Sequence, residues 1–190
     1  METDPFLDVV QSTVAALKGA GIHYAITGSI ASGIHGEPVQ SQDVDFAVRL
    51  SEEQARKLDT LLPRRFYRSG ERLVAIAKGG GLANLIDTDT GLKVDLSSVP
   101  HTPYFDLVFS RARPEPFGRG APSFITVSPE DIILMKLLWR KDSRSDKQWR
   151  DALGVASVKA ALLDWKYLFE HASSLHIEDD LIELRNEADI

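Results

Sequence analysis

Residues 26–48 read ITGSIASGIHGEPVQSQDVDFAV and residues 93–98 read KVDLSS. His23 to Thr27 reads as a short strand that ends on Gly28-Ser29, and the small residues that follow suit a tightly packed helix over 29–35. After a polar loop, Val44, Phe46 and Val48 alternate with Asp43, Asp45 and Arg49, which is the period of a half-buried strand. Asp43 and Asp45 therefore leave one face of one strand, close together. Like charges so placed repel; the pair is either an exposed accident on a wet surface or a site for a divalent cation, and hard oxygen donors suit magnesium. Lys93, Asp95 and Ser97 share one face of a second expected strand, with Val94 and Leu96 on the other. If the two strands are neighbours, three carboxylates converge, as in a one- or two-metal phosphoryl-transfer centre. Gly28-Ser29 stands where a strand gives way to a helix, a place at which free N–H groups and the helix dipole can hold a phosphate. Alone, it is equally ordinary turn chemistry.

Outward from this stretch, Thr3 or Asp4 is the expected N-cap of a first helix with Pro5 at its first position; Phe6, Val9, Val10, Val14 and Leu17 form its apolar face. Ser51 and Gln54 make a capping box for a helix that ends before Pro63. A strand near Phe66 and a short helix follow. Leu82 to Asp87 and Leu92 to Leu96 flank Thr88-Asp89-Thr90-Gly91 and read as a hairpin. Arg113 to Pro122, rich in Pro and Gly, reads as a loop, and Phe124 to Val127 as a last short strand. Ser128 and Pro129 then open the most apolar helix, Ile132 to Trp139, with further helices near 146–157, 160–173 and 178–188. Mixed elements first and helices last predict an α+β fold: a small mixed sheet flanked by helices, with a helical C-terminal part. The expected division is an α/β core over 1–112, a loop and short strand over 113–127, and the helical part over 128–190.

The composition is that of an ordinary globular chain: 190 residues, 43% hydrophobic, with 22 Lys and Arg against 28 Asp and Glu. The absence of Cys excludes disulfides, thiolate zinc sites and Cys nucleophiles. No run is long enough for a membrane span and the N-terminus lacks signal-peptide features, so a cytoplasmic location without membrane partners is expected. A net charge of −6 argues against large non-specific affinity for nucleic acid, although the basic stretch Arg140 to Arg150 keeps RNA among candidate partners. Gly28 to Gly33 is followed by Ile34-His35 instead of the Gly-Lys-Ser of a Walker loop, and Gly79-Gly80-Gly81 matches no phosphate loop either. His35 reads as packing or surface, and Trp139, Trp149 and Trp165 as core or helix-contact residues.

The ordered combination of Gly28-Ser29, the Asp43-x-Asp45 strand and Asp95 resembles the nucleotidyltransferase fold of the DNA polymerase beta superfamily. The resemblance implies a metal-dependent enzyme that moves a nucleoside monophosphate from an NTP to a hydroxyl of RNA, protein or a small molecule, releasing pyrophosphate. It implies that Gly28 and Ser29 hold the β- and γ-phosphates and that Asp43 and Asp45 ligate Mg2+ or Mn2+. Asp95 would complete the metal site and act as general base. Residues 128–152, SPEDIILMKLLWRKDSRSDKQWRDA, resemble the corresponding stretch of small bacterial nucleotidyltransferases of the abortive-infection toxin type. On that pattern Lys136 faces the nucleotide, Asp151 is the second acid, and Lys147 is also matched. Gln148 stands where the first acid is usual. That departure favours the alternative of a catalytically silent module of this fold that binds a protein partner, for instance in a toxin–antitoxin pair.

Overall fold

The structure is a computed structural model and describes residues 4–118 and 120–189. Contacts divide the chain into two units, one of Met1–Ile26 with Ser41–Phe105, the other of Thr27–Gln40 with Asp106–Ile190. The boundaries thus differ from a division at 112/113 and 127/128. The reason is the helix α2 (Gly28–His35), which packs on the helices α6 (Pro129–Ser143) and α7 (Asp146–Lys159) instead of staying with the strands that flank it in sequence. Gly36 seals that packing: a Cβ there would lie 2.8 Å from the Gly154 carbonyl carbon and the Val155 nitrogen.

The first unit contains α1 (Pro5–Gly19), β1 (His23–Thr27, through Ile26), β2 (Asp43–Arg49), α3 (Glu52–Leu61), β3 (Phe66–Tyr67), α4 (Gly70–Gly79), β4 (Gly81–Asp87) and β5 (Lys93–Ser98). Its strands run in the order β3-β4-β5-β2-β1, with β2 and β5 parallel and β4 antiparallel to both β3 and β5. The Asp4 carboxylate caps α1 by accepting from Phe6 N, while Thr3 lies outside the described residues. Both bonds of the Ser51/Gln54 capping box are made. Gly91, at φ 76, closes the β4–β5 hairpin where an L side chain would be strained. One face of the sheet is core: Val44, Phe46, Val48, Val94, Leu96, Ala83 and Leu85 are buried, as are Leu73 and Ile76 of α4, which contacts β4 and β5.

Two elements depart from the sequence reading. A helix, α5 (Pro103–Arg111), stands where none was expected, its start marked by Thr102, whose hydroxyl accepts from Phe105 N at 3.4 Å. Arg113–Pro116, expected as loop, is a strand, β6, antiparallel to β7 (Ser123–Thr126). Within its unit β6 pairs with β7 alone among the described strands, and proline is tolerated in an edge strand because one row of its N–H groups has no partner to serve.

The second unit carries α2, the β6–β7 hairpin and the helices α6, α7, α8 (Trp165–Leu175) and α9 (Glu178–Glu187). The helix expected over 160–173 is interrupted by a 3-10 turn at Ala160–Leu162, and α8 starts afresh because the Asp164 carboxylate accepts from Tyr167 N at 3.0 Å. Arg111, Glu130, Asp131 and Tyr167 form one polar knot: Arg111 lies 2.7 Å from Glu130 and 3.9 Å from the Tyr167 ring centre, and Tyr167 donates to Asp131 at 2.6 Å. Burial raises the Asp131 pKa despite these partners, and burial with the adjacent Asp131 raises that of Tyr167. Among the described residues no helix is long and apolar enough to cross a membrane.

Candidate active site

The outer face of the first unit's sheet is where the sequence-predicted carboxylates stand. The parallel register sets Asp45 opposite Asp95 and Asp43 opposite Lys93, so all four side chains share one face of strands ~4.8 Å apart. Asp43 is exposed, and Asp45 and Asp95 are half-buried. Asn84 of β4 lies opposite Asp95 and donates from Nδ2 to Asp95 Oδ1 at 2.6 Å, and Lys93 Nζ is 3.6 Å from Asp95 Oδ2. Among the described residues, no three His, Asp or Glu side chains gather closely enough to hold a metal ion. What the face offers is two acids opposed across adjacent strands, a third two residues away, and one ammonium.

Asn84 escaped the sequence reading, although its signal was present. Asp87 N donates to Leu92 O at 2.9 Å at the turn, and counting outward from that closure pairs Asn84 with Asp95. The same face carries large apolar groups toward its edge: Leu82, Ile86 and Tyr67, the last 70% exposed.

In the second unit, Gly28 opens α2 with φ 65, and Ser29 is buried. The positive φ explains the glycine, since an L residue there costs about 1–2 kcal/mol. Ser32 Oγ donates to Gly28 O at 3.1 Å. His35 is buried and its Nε2 lies 2.7 Å from Val127 O. The carbonyl can only accept, so Nε2 carries the proton. Burial lowers the His35 pKa.

Lys136 and Asp151 meet in this unit. Lys136 Nζ is 2.7 Å from Asp151 Oδ2, and the two side chains are 2% and 8% exposed. Lys136 is thus an internal ion-pair residue. Lys147, Asp151 and Arg150 line a cavity of about 260 Å3 with Ser32 and Glu37. The basic stretch is partly neutralised from within: Arg140 Nη1 lies 2.6 Å from Asp180 Oδ1, and its guanidinium sits 4.4 Å from the Trp149 ring centre. Trp149 donates to Glu187 at 2.9 Å, which is the helix-contact role expected of it.

No protein-family model matches this chain, and no curated protein matches it in sequence. Solved structures do. The crystal structure of ANT(2'')-Ia in complex with adenylyl-2''-tobramycin is similar over 91% of this chain and 98% of that one, at 13% identity and a TM-score of 0.52. The solution structure of the same antibiotic-resistance factor is similar over 96% of this chain and 94% of its own, at 13% identity and a TM-score of 0.51. An antigenic nucleotidyltransferase-like protein from Paracoccidioides brasiliensis is 22% identical over 90% of this chain and 93% of that chain, with a TM-score of 0.48. At such identities the likeness is one of fold, and the fold of this chain is the α+β nucleotidyltransferase fold.

Proposed function

We propose that this chain is a nucleotidyltransferase that moves a nucleoside monophosphate from an NTP to a hydroxyl acceptor and releases pyrophosphate. The observation that carries the reading is the register Asp45↔Asp95, with Asp43 on the same face, in a chain of this fold. Two opposed carboxylates are a donor set that fits Mg2+ or Mn2+, because such ions take one or two protein carboxylates and complete their shell with water and substrate phosphates. Such an ion, when bound, would supply charge neutralisation on the triphosphate.

The residues' own work is then positioning and proton transfer. Asp45 and Asp95, with Asp43 beside them on the same face, hold the cation. Asp95, oriented by Asn84, takes the proton of the acceptor hydroxyl as its oxygen bonds to the α-phosphorus and the bond to the β-phosphate oxygen breaks. Gly28 and Ser29 are assigned phosphate contacts on the resemblance in sequence. A small-molecule hydroxyl acceptor gains support from the similar structure that holds adenylyl-2''-tobramycin; RNA and protein hydroxyls are the other acceptor classes.

A second reading is a catalytically silent module that binds a protein partner. It is favoured by the ion pair of Lys136 with Asp151 and by the Lys93 ammonium 3.6 Å from Asp95. Calorimetric titration with a non-hydrolysable NTP, with and without Mg2+, separates the two. Metal-dependent binding that disappears in Asp43→Ala/Asp45→Ala supports the enzyme and opens an acceptor screen. No NTP binding by the intact chain would sink it in favour of the module.

A further inference from the structure

Gly79-Gly80-Gly81 joins α4 to β4 and remains without a role in the site described above. The run lines a cavity of about 490 Å3 at the carboxyl ends of β2 and β5, within the first unit. Gly80 and Gly81 adopt φ 74 and 99, a course that side chains disfavour. A Cβ at Gly79 would meet nothing within 4 Å, so close packing does not account for its glycine. What the three share is bare backbone on a cavity wall.

The polar residues that line the cavity with that backbone are Arg49, at the end of β2, with Lys78, Ser98 and His101. Arg49 Nη2 donates to Pro100 O at 3.0 Å, and Val99 N donates to Val48 O at 3.1 Å. These two bonds fix the guanidinium against the segment that carries His101. Lys78 Nζ lies 3.4 Å from Glu52, which is not among the lining residues. No carboxylate lines the cavity among the described residues, in a chain of net charge −6. Ile76 and Val99 add apolar wall. The volume falls within the roughly 300–1,000 Å3 of small-molecule sites. A guanidinium with fixed orientation, an ammonium and glycine backbone that a ligand can approach closely are the groups that recognise phosphate oxygens.

We propose that this cavity, whose lining includes none of Asp43, Asp45 and Asp95, binds a small organic phosphate of the nucleoside monophosphate class without a metal. The test is two-dimensional NMR of the 15N-labelled full chain in EDTA, following the Gly79, Gly80 and Gly81 amides during titration with AMP, inorganic phosphate or adenosine. AMP and phosphate are expected to move these amides saturably, AMP at lower concentration, while adenosine leaves them in place. Phosphate acting as well as AMP would overturn the nucleotide assignment, and adenosine acting as well as AMP would overturn the anion site. Amides that do not move with AMP would overturn both. Arg49→Gln is expected to weaken AMP binding at least ~10-fold, the effect of losing a charged hydrogen-bond donor; unchanged affinity would refute the assignment. Should Arg49→Gln fail to fold, Lys78→Ala/His101→Ala removes the two remaining cationic or protonatable groups from the wall, and undiminished AMP binding by it would refute the site equally. Because EDTA removes metal and Asp43, Asp45 and Asp95 are untouched, failure here leaves the proposed transferase reading standing, and the reverse.

Discussion

Replacing Lys136 by Met tests whether the Lys136–Asp151 contact is structural or belongs to a nucleotide site. At 2.7 Å the pair attracts with roughly 6 kcal/mol at an effective dielectric constant of ~20, before desolvation is counted. With side chains only 2% and 8% exposed, most of that attraction offsets the cost of taking both charges out of water. Removing one partner leaves the other's desolvation uncompensated, so Lys136→Met and Asp151→Leu should each cost about 3–5 kcal/mol. Asp151→Leu should cost the more, because it strands the deeper charge, whereas Asp151 borders the 260 Å3 cavity. The double variant, with no buried charge, should recover most of the loss and show a coupling of about 2–3 kcal/mol. Urea unfolding of all four proteins measures this, with unchanged slopes required for the comparison. A loss below about 1 kcal/mol in Lys136→Met, or a coupling near zero, would refute the internal ion pair. The double variant also speaks to function: if it folds and still binds an NTP analogue as the parent does, Lys136 makes no essential nucleotide contact.

Three further outcomes are expected. Gly36→Ala should destabilise by about 1–3 kcal/mol, because its Cβ would strike backbone at 2.8 Å that cannot rotate aside; Gly79→Ala, with open space around it, is the control and should be neutral or slightly stabilising. Burial holds the His35 pKa below 6.5, so the unfolded chain takes up protons first as pH falls, and the stability His35 contributes is present above about 6.5 and lost below it. The urea midpoint should therefore fall more between pH 7 and pH 5 in the parent than in His35→Gln, and parallel curves would contradict the assignment. Once an acceptor is found, Asn84→Ala should lower kcat with KM for the NTP little changed, since Asn84 acts only through Asp95; an effect on KM alone would remove it from that role.

What was legible in the sequence was whatever depends on neighbours in the chain. The Ser51/Gln54 box, the Asp4 and Ser128 caps and the turn at Gly91 are satisfied within a few residues, and each holds in the structure. The alternation of Asp43-Val44-Asp45-Phe46 gives the polar face of β2, because the side-chain period of a strand is a local property. Long-range partners were not legible in this way. Lys136 reads equally as a lysine facing a nucleotide or as one reaching outward from an apolar helix, and its pairing with Asp151 becomes visible only once α6 packs on α7. Pro114 and Pro116 argue against a strand unless it lies at an edge, and a single local window carries no information about edges. Asn84 is the intermediate case. Its cross-strand partner follows from the hairpin by counting, but that it spends its amide on Asp95 becomes visible only when the two strands are side by side. The candidate chemistry has the same structure: each acid is placed by local period, and the convergence of Asp45 and Asp95 requires that two strands separated by α3, β3, α4 and β4 pair in one register out of several. A shift of that register by one residue would turn Asp95 into the core and Val94 outward. The burial of Val44, Phe46, Val94 and Leu96 is what forbids it, so the hydrophobic face of the sheet positions the polar one.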